Sequence, residues 1–463
     1  MTPARAPQED LEVHPTTSRR SRRTLAAVTG SAVLALLATA CTGTNDAGGN
    51  DDSASGKDVT ITFWHGWSQD SEVKAINDNI AAFEKAHPNI HVKTVGNIAD
   101  DKVNQALRAG GDDAPDVVSS FTTNNVGMFC STKALADLKP FLEKDRIDAA
   151  KTFPAAMLNY TQYQGNQCSL PLLGDAFGLY YNKTAFANAG ITAPPKTFSE
   201  FADVAARLTI ADGGGYKQLG FMPLYHGYES TTEHFLGQYG PTYFDSPGKS
   251  NLATDPKIAS MLNWQKGLVD KLGGYDKLDK YRATFGEEFS AKNPFHTGQV
   301  AMAIDGEWRT ASLAENKPDF EWATAPFPVP DDQASTWGRG YQTGTIVGIA
   351  SSSKKQAAAW ELVKYLTTDT DAVVSFANAI HNVPSTFDAL NSPKLISDPN
   401  FKTFLDIAKN ANSGTTPASV NGGAYIVSLQ NLGYAYESGQ QKDLAGGLAA
   451  TAKEIDAAIA QAK

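Results

Sequence analysis

The strongest constraint on the fold is a hydrophobic period that switches repeatedly between two and about 3.6 residues. From Asp58 to Trp64 the period is two: Val59, Ile61 and Phe63 lie on one face and Thr60 and Thr62 on the other, which predicts a strand. Val73, Ile76, Ile80 and Phe83 then recur at helical spacing until His87-Pro88 ends the run. Ile90 and Val92 start a second strand, and a helix covers Val103–Arg108. After the breaker Ala109–Pro115, the apolar run Asp116–Phe121 forms a third strand. Strands separated by helices predict a parallel, doubly wound sheet. Ligands of such sheets gather at the carboxyl ends of strands, where Trp64-His65-Gly66-Trp67 and Ser119–Phe121 fall. No Gly-rich phosphate loop follows these strands, so nucleotide binding is not expected.

A second series of the same kind begins near Leu170. Leu179–Lys183 is strand-like, and a short helix, Thr184–Ala189, stops at Gly190. Thr197 and Glu200 form a capping box ahead of the stripe Phe201, Val204, Ala205 and Leu208. Gly298–Asp305 is an apolar strand that delivers Asp305-Gly306-Glu307-Trp308; Ala357–Leu366 and the Ala-rich Asp443–Lys463 are helical. Two series separated near Gly174 suit a chain of 463 residues, long enough for two packing units. A net charge of −10 argues against a nucleic-acid partner, which calls for a basic surplus.

The N-terminus is of another kind. Residues 1–40 carry Arg5, Arg19, Arg20, Arg22 and Arg23 ahead of Leu25–Ala40, which is small or apolar throughout. That run is shorter than the roughly 20 residues that span a bilayer, so it reads as a signal-peptide core. Ser21-Arg22-Arg23-Thr24-Leu25 fits either a twin-arginine export signal or an ordinary basic n-region. Leu37-Ala38-Thr39-Ala40-Cys41 resembles the lipobox of bacterial lipoproteins, with Ala38 where leucine is usual and Leu37 one place further back. The resemblance implies cleavage before Cys41 and a diacylglycerol on its sulfur. Residues 42–57, rich in Thr, Gly, Asn, Asp and Ser, then act as a flexible tether that holds the body near the outer face of the cell membrane. In an exported chain the remaining pair, Cys130 and Cys168, reads as one disulfide.

The order of motifs in the body is specific. The strand ending in Trp64-His65-Gly66 is followed by Ala114-Pro115-Asp116-Val117, then by Leu170-Pro171 with Tyr181-Asn182-Lys183. Next come Ala189-Gly190-Ile191 with Pro194-Pro195-Lys196-Thr197-Phe198, then Gly298–Trp308, and Ala358-Ala359-Trp360-Glu361 through Tyr365-Leu366. In this order the chain resembles the sugar-binding extracellular solute-binding proteins (family 1, maltose-binding-protein-like) that serve ABC importers, over essentially all of 58–463. The resemblance implies a periplasmic-binding-protein-like (type II) α/β fold: two doubly wound lobes joined by a hinge, with the ligand in the cleft between them. The lobes would be 58–173 plus 340–381 and 174–339 plus 382–463. It implies capture of a mono- or oligosaccharide and delivery to permease subunits in the membrane, by a monomer needing no cofactor or metal.

Sugar chemistry narrows the candidates. One face of a pyranose is a patch of C–H bonds that an aromatic ring covers, and its rim is a fan of hydroxyls matched by carboxylates, amides and arginine. Trp64, His65 and Trp67 at a strand end fit this, although Trp64 also fits a core residue capping the sheet. The resemblance adds Asp175, seven residues before Asn182, as an acid for sugar hydroxyls, and Trp308 as a stacking ring. Asp305 and Glu307 are carboxylate candidates, one of which instead caps the following helix. Ser119 and Ser120 stand where some relatives carry an aromatic, so the first-lobe contacts are less defined. Tyr225, His226 and Tyr425 lie where relatives supply rings. Arg339, in the Gly-rich Trp337–Tyr341, is placed to fork onto two hydroxyls, and Asn382 precedes Val383-Pro384.

The main rival is a secreted glycoside hydrolase, which needs two carboxylates at a set separation; Asp175 with Asp305 or Glu307 is the pair to test. A non-sugar solute is the other alternative. No Gly-x-Ser-x-Gly elbow is present, and Pro88 keeps His87 and His91 off one helical face. The chain is therefore expected to bind without catalysis.

Overall fold

A computed structural model describes residues 57–111, 114–225, 227–246 and 248–462. The leader, Cys41, the tether up to residue 56, and His226 lie outside the described residues. The strands are β1 (Val59–Trp64), β2 (Ile90–Val95), β3 (Val117–Ser120), β4 (Leu170–Asn182), β5 (Ile210–Asp212), β6 (Gly215–Phe221), β7 (Phe244–Ser246), β8 (Lys249–Ser250), β9 (Val300–Gly306), β10 (Trp322–Ala325), β11 (Gln342–Ile349) and β12 (Val383–Pro384). All but the β7–β8 pair belong to one sheet, ordered β2-β1-β3-β11-β4-β9-β6-β5, with β10 and β12 also on β4.

Local physics accounts for the first unit. Ile61 and Phe63 of β1 are fully buried, each contributing about 1.5–3 kcal/mol. The helix Asp70–Ala86 starts where the Glu72 carboxylate accepts the Gln69 N–H at 3.2 Å. It packs Ile76, Ile80 and Phe83 inward and ends at His87, whose ring stacks on Phe83. β1 pairs in parallel with β2, from Val59 opposite Ile90 to Trp64 opposite Val95, and with β3.

β1, β2 and β3 are parallel, as their alternation with helices predicts, but the sheet as a whole is mixed. β11 runs antiparallel to both β3 and β4, and β4 runs antiparallel to β9. The cause is β4 itself, a 13-residue strand in which the expected Leu179–Lys183 is only the second half. Its residues Leu170–Ala176 pair with β11, while Phe177–Tyr181 pair with β9 and Leu179–Asn182 with β10. One continuous strand thus belongs to both halves of the sheet, and β11 returns along it. A chain that crosses and comes back must run antiparallel where the two passes meet.

Cys130, at the end of the helix Val126–Ser131, forms a disulfide with Cys168 just before β4, their Cα atoms 5.4 Å apart and 38 residues apart in sequence. It holds the segment after β3 to the start of the shared strand. By chain entropy a loop of this size contributes about 4 kcal/mol. Replacing both cysteines by serine should therefore lower the urea unfolding free energy by roughly that amount; an unchanged midpoint would show that the loop is already constrained in the unfolded chain.

Candidate functional site

Where β4 leaves one half of the sheet for the other, three more backbone passes meet it: β11, the end of β9, and Asn382–Pro384, of which Val383 and Pro384 pair with Gly174 and Leu173. A cavity of about 430 Å³ opens at this junction. From the β1–β3 side it is walled by Trp67, Glu72 and Phe121, with Ile380 beside them. Asp175, Thr345 and Asn382 form its floor, and Phe289, Trp308, Ala311, Ser312 and Glu315 close the far side.

The floor is built around a buried carboxylate. Glu307 is fully buried; one oxygen accepts the Ala176 N–H at 2.9 Å, and the other accepts Asn382 Nδ2 at 2.9 Å and the Val383 N–H at 3.3 Å. The same Asn382 amide donates to Asp175 Oδ1 at 2.6 Å. Burial raises the Asp175 carboxyl to about 6. Burial and the neighbouring Asp175 charge push Glu307 well above the usual carboxylate range. Tyr160, buried against both acids, has a hydroxyl with no partner among the described residues and is held far above its ordinary range by burial.

On the far wall the spacing of Trp308, Ala311, Ser312 and Glu315 puts them on one face of the helix Arg309–Asn316 and the turn that leads into it. The Trp308 ring lies against Gly306, where any Cβ would fall 2.3 Å from ring carbons, and meets Phe177 edge-on at 5.6 Å. Only glycine permits that approach. Phe289 is 72% exposed yet faces this cavity. Its segment is anchored from below: buried Arg309 binds Asp305 at 2.7 Å, donates to the Glu288 carbonyl at 2.9 Å, and lies 5.4 Å from the Phe289 ring centre. Across the cavity, Trp67 packs edge-on against Phe121 and Phe376.

Of the residues expected from sequence, Trp67, Asp175, Trp308 and Asn382 line the cavity, and Glu307 supports its floor. Others take structural positions. His65 is buried between Phe63 and Trp67 and its pKa is lowered to about 4 by desolvation, so the ring is neutral packing. Trp64 is half-buried against the core beside Val95, the sheet-capping alternative. Ser120 accepts the Thr122 N–H at 3.1 Å and shapes the turn after β3; the ring absent at 119–120 is supplied by Phe121, 47% exposed. Asp305 is the buried partner of Arg309.

Three further candidates are buried away from this cavity. Tyr225 sits in the core, its N–H on buried Glu437 and its hydroxyl on Met261. Tyr425 packs against Tyr243 and Phe244 and donates to the Pro417 carbonyl at 2.7 Å. Arg339 is buried with its guanidinium on the Gln238 carbonyl and Gln333. Each tyrosine has a polar end satisfied inside the protein, which lets it serve as core.

Phe289, Glu72, Thr345, Ala311, Ser312 and Glu315 were not anticipated, and Phe121 was placed only as the end of the strand-terminal segment Ser119–Phe121. Ala311, Ser312 and Glu315 were findable, since they lie three, four and seven residues after Trp308, on one helical face. Phe289, inside Glu287-Glu288-Phe289-Ser290, carries no local signal. A larger cavity of 670 Å³ lies elsewhere, among Asn159, Tyr163, Phe244, Thr415 and Ser419, and its lining holds no charged side chain among the described residues. The smaller cavity is the candidate site because it joins rings, carboxylates and the crossing strands. Among the described residues no group of three or more His, Cys, Asp or Glu side chains is placed to hold a metal ion, and no helix is long and apolar enough to cross a membrane.

A fold with one strand shared by two half-sheets and a cavity at the crossing is that of periplasmic binding proteins. The chain belongs to the bacterial extracellular solute-binding protein family, whose model matches residues 66–373; its members are exported solute-binding proteins rather than enzymes. It is 22% identical to the maltotriose-binding protein of Pyrococcus abyssi over 59% of this chain and 55% of that protein. It is 25% identical to the diacetylchitobiose binding protein DasA of Streptomyces coelicolor, over 75% of this chain and 79% of that one. The chain thus spans about half the length of the first of these relatives. Among solved structures, CpMnBP1 with mannobiose bound superimposes with a TM-score of 0.73 at 25% identity, covering 86% of this chain and all of that one.

The Arg309–Asp305 pair carries its own prediction. Arg309→Met leaves a buried carboxylate without its cation and should cost about 3–5 kcal/mol in denaturant unfolding, whereas adding Asp305→Asn should restore part of that loss. An equal loss in both variants would show that packing, not charge, is what Arg309 supplies.

Proposed function

We propose that the protein captures a sugar or oligosaccharide in the cavity at the strand crossing and hands it to the permease of an ABC importer. The observation that carries this reading is the gathering of rings (Phe121 and Phe289 exposed, Trp308 half-buried, Trp67 buried in the wall) with Asp175 and Asn382 around one cavity. Rings cover the C–H face of a pyranose while the carboxylate and amide take its hydroxyls. The lobes are 58–173 plus 340–381 and 174–339 plus 382–463, and closure rotates them about β4, β11 and Asn382–Pro384. The ligand leaves unchanged: Asp175 and Glu307 are tied together through Asn382 and so do not flank a scissile bond. Export through the leader and anchoring by lipidated Cys41 keep the body beside the permease.

A glycan panel screened by thermal shift tests the reading, since a ligand at 100 times its Kd stabilises the fold by about 2.7 kcal/mol. No shift with any saccharide would overturn it. Trp308→Ala should weaken the best ligand by about tenfold to a hundredfold, the loss of one stacking ring in a desolvated site. Hydroxyls that donate to Asp175 favour its ionised form, and protonation below about 6 removes an acceptor. Affinity measured by calorimetry should therefore fall by up to about tenfold from pH 7 to pH 5, and Asp175→Asn should flatten that profile.

A further inference from the structure

The charges on the cavity wall restrict which saccharide it takes. The lining contains Glu72, Asp175 and Glu315, and among the described residues no lysine, arginine or histidine. The adjacent cation, Arg309, is buried and turned away, committed to Asp305 and Glu288. A neutral polyol needs donors as well as acceptors around its hydroxyls, because each hydroxyl both gives and takes a hydrogen bond. Donors are present, in the Ser312 and Thr345 hydroxyls and the Trp67 and Trp308 indole N–H groups, but none of them is charged and the Asn382 amide is committed to Asp175 and Glu307, so the carboxylates of the lining have no cation beside them.

The acceptors are also spread out. Glu72 stands in the first turn of the helix Asp70–Ala86 beside Trp67, Glu315 is near the end of the helix Arg309–Asn316, and Asp175 is on the floor between them. The same cavity is lined by carboxylates and by rings, Trp67 and Phe121 on one wall and Phe289 and Trp308 on the other. Ring faces attract an ammonium group, and carboxylates bind one through charge-assisted hydrogen bonds about twice as strong as neutral ones. When a cleft closes and excludes water, three uncompensated carboxylates repel one another unless the ligand brings positive charge.

We infer that the ligand is an amine-bearing saccharide, one with a free ammonium in place of a ring hydroxyl, rather than a neutral or acidic one. This rests on the reading of the cavity as the sugar site and specifies its substrate class. The ammonium sits between the carboxylates Glu72 and Glu315, and Asp175 takes a hydroxyl.

The test is calorimetry on the full folded chain with three disaccharides of one linkage: the β-1,4 dimer of glucosamine, its N-acetylated form, and cellobiose, which has hydroxyls at the same positions. A wider panel of neutral and uronic-acid saccharides is run beside them. The glucosamine dimer should bind at least about tenfold more tightly than either neutral counterpart, and its affinity should fall with added salt. Glu72→Gln, which keeps an N3 capping side chain, and Glu315→Gln should each move the amine-to-neutral affinity ratio toward one, with circular dichroism confirming that the variants fold. Equal or tighter binding of any neutral or acidic saccharide overturns the amine assignment and leaves the sugar site standing. Binding of no saccharide of any class overturns both.

Discussion

One buried carboxylate stands where the chain crosses itself. Glu307 accepts hydrogen bonds from Ala176 on β4 and from Asn382 and Val383 on the third pass, while it lies just past the end of β9. Without it, two backbone N–H groups and one of the two N–H groups of the Asn382 amide would lose their acceptor, each costing about 1–3 kcal/mol. The crossing is also where the two half-sheets share one strand, and the side chains there hold the passes in register.

The site inherits its character from that junction. Asp175 is an acceptor of raised pKa because it is shielded from water, an effect that outweighs the opposing donation from the Asn382 amide it shares with Glu307. Trp308 takes its position from Gly306, whose missing side chain lets the ring lie on the backbone, and from Arg309, which ties the following helix to Asp305 and to the Phe289 segment. The aromatic wall and the acidic floor are therefore parts of one packed unit, and a change in either is felt in the other.

Much of this was legible before any coordinates. The strand Val59–Trp64, the helix stopped by His87-Pro88, the helix Phe198–Leu208 opened by Thr197, and the strand ending at Gly306 all follow from periodicity and capping. β4 was not fully legible. Its first half, Leu170–Gly174, has no alternation to mark it, because a strand buried on both faces reads as a continuous apolar run. Its antiparallel pairing with β11 depends on residues more than 160 positions away. Tyr225, Tyr425 and Arg339 have the composition of binding residues, and nothing local distinguishes a tyrosine that donates to a sugar from one that donates to the Pro417 carbonyl.

The sequence by itself determined the alternation of strands and helices and the disulfide partners through local period and residue type, while the kind of fold and the candidacy of Asp175 and Trp308 came from the resemblance of its ordered motifs to a known family. Only the tertiary structure decided which rings reach the cavity. Phe121 and Phe289 lie 168 residues apart, and they face one cavity from opposite walls because β4 and β11 bring two half-sheets together. Burial in turn withdrew His65, Tyr225, Tyr425 and Arg339 from the cavity by satisfying their polar atoms or packing their rings within the core. Exposure is a property of the packed chain, and a residue's identity sets only what it can do once it is there.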